Sequence, residues 1–220
     1  MSATSPARVD DPAAARRQVI LDAARAAIEE HGPQALTGQI ADRAGLARPN
    51  VYRHFASKEA LDLALARSAY HELRAAIRAQ FEVGRTPLDV IRAPIAAQVV
   101  WADEHPNLYR FLVSRGHQQS AQRPRASRSA FAAELVAAGA RYIPQFGEDA
   151  DAAEVTMAGI LGLVDASVLW WLDRRTGTRE QLVETLTAQA WLIIDHRLRM
   201  SGVILDPSAP LSPPPRTTDR

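Results

Sequence analysis

The chain has 220 residues, 47% of them hydrophobic, which is enough for one large domain or two modest ones and excludes global disorder. The absence of cysteine excludes disulfides, thiol catalysis and cysteine-ligated zinc. A net charge of +1 supplies no bulk attraction for nucleic acid, so any such role must rest on where the charges sit. Residues 1–10 contain no apolar segment of the kind a secretory signal needs. The most apolar run, Met157 to Leu172, is interrupted by Asp165 and is short for a bilayer span, and a cytoplasmic location is expected.

Residues 1–11 are small, polar and acidic and are expected to be a disordered tail. Asp11-Pro12 is a helix start, and Val19, Ile20, Ala23, Ala24, Ala27 and Ile28 keep a helical period until His31-Gly32-Pro33 ends it. Arg16 and Arg17 at its start either approach DNA phosphates or are solvated. Thr37 is the expected N-cap of a second helix whose buried side is Ile40, Ala41 and Ala44, and Gly45 can take the left-handed backbone that stops it. Arg48 is placed as the cap and Pro49 as the first residue of a third helix, with Val51 and Phe55 on its inner face. Two short helices joined by a tight glycine turn make a helix-turn-helix.

Ser57 caps a long fourth helix, in which Leu61, Leu65, Leu73, Ile77 and Phe81 recur at helical spacing. This helix is expected to join residues 12–60, a DNA-binding domain, to residues 61–200, a second domain. The second domain reads as helical throughout. Its helices fall at Leu88–Glu104 with Pro94 as a kink, at Leu108–Val113, at Ser129–Ile143, and at about 149–175 and 179–200. Residues 116–127 read as a polar basic loop, and residues 201–220, rich in Pro and Ser, as a disordered tail. No stretch alternates with period two, so the expected fold is all-α with about nine helices.

The pattern Ile40-Ala41-x-x-Ala44-Gly45-Leu46, then Val51-Tyr52-x-His54-Phe55, then Ser57-Lys58-Glu59-x-Leu61 resembles the TetR family of bacterial transcriptional regulators. The strong match covers roughly residues 13–65, and beyond it the resemblance is architectural. It implies a homodimer and a pocket for a small effector in the second domain, with repression relieved when the effector binds. It also implies that Tyr52 and His54 donate to phosphates. Two positions depart from the family pattern. Only Gly38-Gln39 separate Thr37 from the Ile-Ala pair, which displaces Thr37 from its usual phosphate contact, and Ala47 stands where the family carries a serine or threonine.

A recognition helix presents its N-terminal residues to base edges in the major groove. Arg48 and Arg53 can pair with guanine and Asn50 with adenine, while Lys58 adds charge at a helix N-terminus. The DNA-binding set is therefore Thr37, Arg48, Pro49, Asn50, Tyr52, Arg53, His54 and Lys58, with ring packing as the other reading of Tyr52. For the dimer, small residues Gly159, Gly162 and Ala166 lie beside Val155, Leu163 and Trp170. Leu182, Leu186, Ala190 and Ile193 provide the facing stripe on the last helix. The effector pocket is assigned to the aromatic-rich set Trp101, Tyr109, Phe111, Leu112, Phe131 and Trp170, with His105, Arg115 and His117 as polar contacts. Arg123, Arg125 and Arg128 fit an anionic ligand or, more simply, a solvated loop.

No phosphate-binding glycine loop, H-E-x-x-H or nucleophile–base pair is visible, and neither an enzyme nor a cofactor is expected. Asp165, within an apolar helix, is the one residue that suggests buried acid chemistry, and a capped or dimer-paired aspartate explains it as well. The reading is a ligand-responsive repressor on a palindromic operator, the alternative being a constitutive dimeric DNA-binding regulator without an effector.

Overall fold

The computed structural model describes residues 12–80, 86–122 and 126–211, with side chains of 12–80, 86–115 and 130–211. Both expected tails lie wholly or partly outside that range: residues 1–11 entirely, and the second from 212 onward. Phe81 and the side chains of His117, Arg123, Arg125 and Arg128 also lie outside it. The described residues form nine α-helices and one short 3-10 turn, with no strand among them. They divide into two compact units. One comprises residues up to 71 together with 105–115, the other 72–104 and 116 onward.

In the first unit α1 (Pro12–His31) buries Ile20, Ala23, Ala24, Ala27 and Ile28, the period read from the sequence. It packs on α2 (Thr37–Arg43), which packs on α3 (Arg48–Tyr52). Gly45, at φ +65, ends α2. Gly45 N–H donates to the Asp42 carbonyl at 3.1 Å, and Leu46 N–H reaches back to Ala41 at 2.9 Å. That pair of bonds is the Schellman closure, which needs a left-handed residue where only glycine is unstrained. Val51 and Phe55, 1% and 2% exposed, complete the inner face. Each such side chain contributes on the order of 1.5–3 kcal/mol by leaving water.

Two helix starts differ by one residue from expectation. Thr37 is the first residue of α2 and Leu36 the cap; leucine offers no side-chain acceptor, and the Gln39 side-chain oxygen reaches back to accept from Leu36 N–H at 2.7 Å, the reciprocal half of a capping box. Ala47 caps α3, so Arg48 is its first residue and Pro49 its second, a place where proline's missing N–H costs nothing. Ser57 does cap α4 (Lys58–Arg78), accepting from Ala60 N–H at 3.2 Å.

The division of the chain is not the expected one at residue 60, because α6 (Pro106–Gln122) sends its first half, to residue 115, into the first unit. Glu29 of α1 holds the start of α6. Its carboxylate accepts from Leu108 N–H at 3.1 Å and Asn107 N–H at 3.2 Å, and its carbonyl accepts from the Asn107 amide at 2.8 Å. A carboxylate there satisfies N–H groups that have no helical partner and complements the helix dipole. Leu108, Tyr109, Phe111 and Leu112 are consequently buried in this unit.

The second unit contains α5 (Pro87–Glu104), α7 (Ala126–Ala140), the 3-10 turn Pro144–Gly147, α8 (Ala150–Arg174) and α9 (Arg179–Met200). The backbone of 116–122 is helical, as is that of 126–129, which corrects the loop expected over 116–127 at those positions; residues 123–125 lie outside the described range. The polar composition that reads as a loop is also compatible with a helix, since Gln, Ser and Arg are tolerated there. Asp149 and Thr178 cap α8 and α9, Thr178 in a reciprocal capping box with Gln181. Between them Arg175 takes a left-handed conformation at φ 51 and its guanidinium meets Asp103 at 2.5 Å.

The expected disordered tail folds back over this unit as far as residue 211. Val203 and Leu205 pack against Val136, Phe146, Ala153 and Leu198, and Leu88 N–H donates to the Pro207 carbonyl at 3.3 Å. Val203 and Leu205 ahead of Pro207, and Leu211 after Pro210, give this segment something to bury.

Candidate nucleic-acid interface and ligand cavity

Burying Val51 and Phe55 turns the opposite face of α3 outward, and there Arg48, Pro49, Asn50 and Arg53 are all exposed. Tyr52 is 38% exposed, and its hydroxyl donates to Thr37 Oγ1 at 3.3 Å. The Arg48 guanidinium lies 5.9 Å from the Tyr52 ring centroid. The Thr37 bond first, and Arg48 second, lower the pKa of the Tyr52 phenol. Thr37 itself is buried, in keeping with the shortened spacing after it.

Arg17 does not extend freely from α1. It donates to the His54 carbonyl and its guanidinium lies 4.2 Å over the Phe55 ring, fixing the end of α3. The His54 ring is half-buried. Lys58 is tied as well: its Nζ meets Asp62 Oδ1 at 2.5 Å, while Arg115 binds the other oxygen of the same carboxylate. Asp62 is only 2% exposed and carries two cations, so one positive charge remains over the three side chains.

The second unit holds a cavity of about 140 Å³ that is partly open to solvent. Its walls come from Ile77, from α5 (Ile91, Pro94 and Ile95 among others), from α7, α8 and α9, and from Leu211. Of the six residues expected to line a pocket, Phe131 alone does so. Tyr109, Phe111 and Leu112 belong to the core of the first unit. Trp101 is buried and donates its indole N–H to Glu72 at 2.9 Å, and Trp170 is 51% exposed beneath Arg174. The walls are mostly aliphatic, and aliphatic residues at helical spacing look the same whether they face a cavity or a filled core. Of the polar contacts, His105 and Arg115 lie in the first unit. Asp165 is half-buried and accepts from the Gln98 amide at 2.9 Å, a partner within its own chain.

On α8 Val155, 74% exposed, and Trp170 flank exposed Gly159 and Ala166 and half-buried Gly162. A Cβ added at either glycine would meet nothing within 4 Å. On α9 Ile193 is exposed, 39%, beside Leu192 at 67%. Leu163 and Leu182 are half-buried. Leu186 and Ala190, expected on the same face, are 1% and 0% exposed, since they point into the chain's own core one turn-face away. By length and composition α8 would also pass as a membrane span, but Ile160, Val164, Val168 and Leu172 bury its other face within the protein.

A helix-turn-helix unit with an exposed, arginine-bearing third helix, followed by an all-helical unit around an apolar cavity, defines a helix-turn-helix DNA-binding regulator. Residues 20–65 match the family described as bacterial regulatory proteins, tetR family, and residues 72–198 match the Tetracyclin repressor-like C-terminal domain. The chain belongs to the TetR family of transcriptional regulators, which bind DNA and are not enzymes.

Solved structures agree on the fold. A TetR-like regulator from Rhodococcus sp. RHA1 is 18% identical with a TM-score of 0.60, covering 89% of this chain and 100% of its own. The fatty acid degradation regulator FadR from Bacillus halodurans is 20% identical with a TM-score of 0.64, covering 83% and 96%. A TetR-family regulator from Streptomyces coelicolor is 18% identical with a TM-score of 0.62, covering 89% and 92%. A search of curated proteins finds no match.

Proposed function

We propose that this regulator is a cytoplasmic homodimeric repressor that holds a palindromic operator and leaves it when a small hydrophobic molecule enters the second unit. The observation that carries the ligand-responsive part is the apolar cavity of about 140 Å³, because a packed core tolerates few empty spaces larger than a water. On the DNA, Arg48, Asn50 and Arg53 of α3 read base edges. Tyr52 turns its single hydroxyl hydrogen from Thr37 Oγ1 to a phosphate, the Thr37 hydroxyl then donating to the phenolic oxygen, and His54 and Lys58 add backbone contacts. The exposed α8–α9 stripe of Val155, Gly159, Gly162, Ala166, Trp170 and Ile193 meets its two-fold copy and sets two recognition helices roughly 34–36 Å apart.

Selecting bound sequences from random duplex DNA tests this reading, with the recovered site then used in gel shifts against neutral apolar compounds. A palindrome with half-sites one helical turn apart, released by such a compound, is the expected result. An asymmetric site, or a palindrome that no ligand of the cavity releases, contradicts the repressor-and-effector reading.

A further inference from the structure

We infer that the segment from Val203 to Leu211 is a gate on the cavity, and that the ligand it admits is uncharged. The inference rests on the cavity being the effector site. The segment has a fixed root and a loosely held tip. At the root, Val203 and Leu205 pack against the cluster around Phe146 and Leu198. A turn follows, in which Asp206 Oδ1 accepts from Ser208 N–H at 2.8 Å and from its hydroxyl at 2.7 Å, and Ala209 N–H donates to the Asp206 carbonyl at 3.2 Å. Within the turn the Pro207 carbonyl accepts from Leu88 N–H and ties the segment to the start of α5, and beyond it the Leu211 side chain forms part of the cavity wall. Pro207 and Pro210 restrict the backbone of the tip, so it moves as a piece on the turn.

The chemistry of the walls selects the ligand. Among the described residues no Lys, Arg, His, Asp or Glu side chain lines the cavity; its polar groups are the Gln98 amide, engaged with Asp165, the Tyr142 hydroxyl and the Trp191 indole. A carboxylate or sulfonate brought inside would lose its hydration with no cation to offset the charge, whereas a neutral apolar molecule loses nothing it needs.

Stopped-flow binding of the neutral fluorophore N-phenyl-1-naphthylamine to the full chain tests the inference. Comparison proteins are a chain ended after Asp206, the point variant Leu211→Asp, and two cavity-filling variants, Leu135→Trp and Ile91→Trp. The ended chain loses one backbone hydrogen bond and one leucine contact, and its association and dissociation rates should both rise about tenfold; Leu211→Asp loses only the leucine contact, and its rates should rise by a smaller factor, about threefold. The filled variants, provided one of them keeps the helical circular dichroism of the parent, should lose the probe. The sulfonated analogue anilinonaphthalene sulfonate should not displace it. Unchanged rates with binding lost on filling overturn the gate and leave the effector site standing. A probe that ignores the filled variants, or does not bind the full chain, overturns both. Displacement by the sulfonate at equal concentration overturns the restriction to uncharged ligands.

Discussion

Lys58 Nζ donates to Asp62 Oδ1 at 2.5 Å, one helical turn along α4, and the carboxylate it meets is 2% exposed. From sequence Lys58 reads as a free charge for DNA phosphate; in the structure it is half of the neutralisation of a buried acid, Arg115 supplying the rest. Removing the lysine leaves Asp62 one partner, so Lys58→Ala should lower stability by roughly 1–2 kcal/mol. Asp62→Ala, which strands two cations, should cost more. Thermal melts of both variants beside a gel-shift salt series check this. A Lys58→Ala protein with unaltered melting and a flattened salt slope would return the residue to a purely phosphate-binding role.

Arg53 and Tyr52 lie next to each other on α3 and should fail differently. Arg53→Ala should cost about 1–3 kcal/mol of specific affinity and relax preference at one base position. Tyr52→Phe removes only the hydroxyl that donates to Thr37, and should weaken all sequences alike by about 1 kcal/mol while leaving the salt slope nearly unchanged. Equal loss of specificity from both substitutions would contradict the division between base-reading and phosphate-contacting side chains.

Glu29 closes the start of α6 with two backbone N–H bonds. Glu29→Ala should destabilise the first unit by roughly 1–3 kcal/mol, and Glu29→Gln by less because one amide oxygen still accepts. Urea unfolding monitored by circular dichroism measures the difference. Identical midpoints for the two variants would show that the capping bonds contribute nothing net.

The Arg78–Glu134 pair of the second unit is about two-fifths exposed on the arginine side, so its contribution is a few tenths of a kcal/mol. Its bond to Arg78, more than Coulomb attraction, holds the Glu134 carboxyl below the usual 4.5. A depressed folded pKa means the contribution is present above the unfolded value and fades as pH falls through the folded one. Glu134→Gln should therefore melt slightly lower than the parent near neutral pH and converge with it in acid, below that 4.5. A gap that widens on acidification would reverse the sign.

Val155, 74% exposed, and Gly162 sit on the α8 stripe assigned to dimerisation. Val155→Asp together with Gly162→Leu should convert a dimer to a monomer in sedimentation and abolish operator binding without altering helix content. A parent chain that sediments as a monomer at micromolar concentration would overturn the dimer itself.

Much of the first unit was legible because its signals are local. The glycine stop at Gly45, the alternation of buried Val51 and Phe55 with exposed Arg48, Asn50 and Arg53, and the Ser57 cap each depend on a few neighbouring residues. The cap of α2 falls one residue before the threonine that the sequence suggests, because Gln39 reaches back to Leu36 N–H and fixes the start of the helix there. The cavity was largely illegible. Aromatic side chains drew attention to Tyr109 and Phe111, yet Glu29, far away in the chain, pins their helix into the first unit.

The sequence by itself determined an all-helical chain, a helix-turn-helix with an outward arginine-bearing face, and membership of a DNA-binding family, because periodicity, caps and a contiguous motif are written in neighbouring residues. Only the tertiary structure decided which charges have partners within the chain, as with Lys58 and Arg17, which apolar residues line the cavity, and that Leu211 returns to join its wall. Those outcomes depend on which surfaces far apart in the chain are brought into contact, and helical spacing is the same on a face that meets a neighbour, a cavity or water.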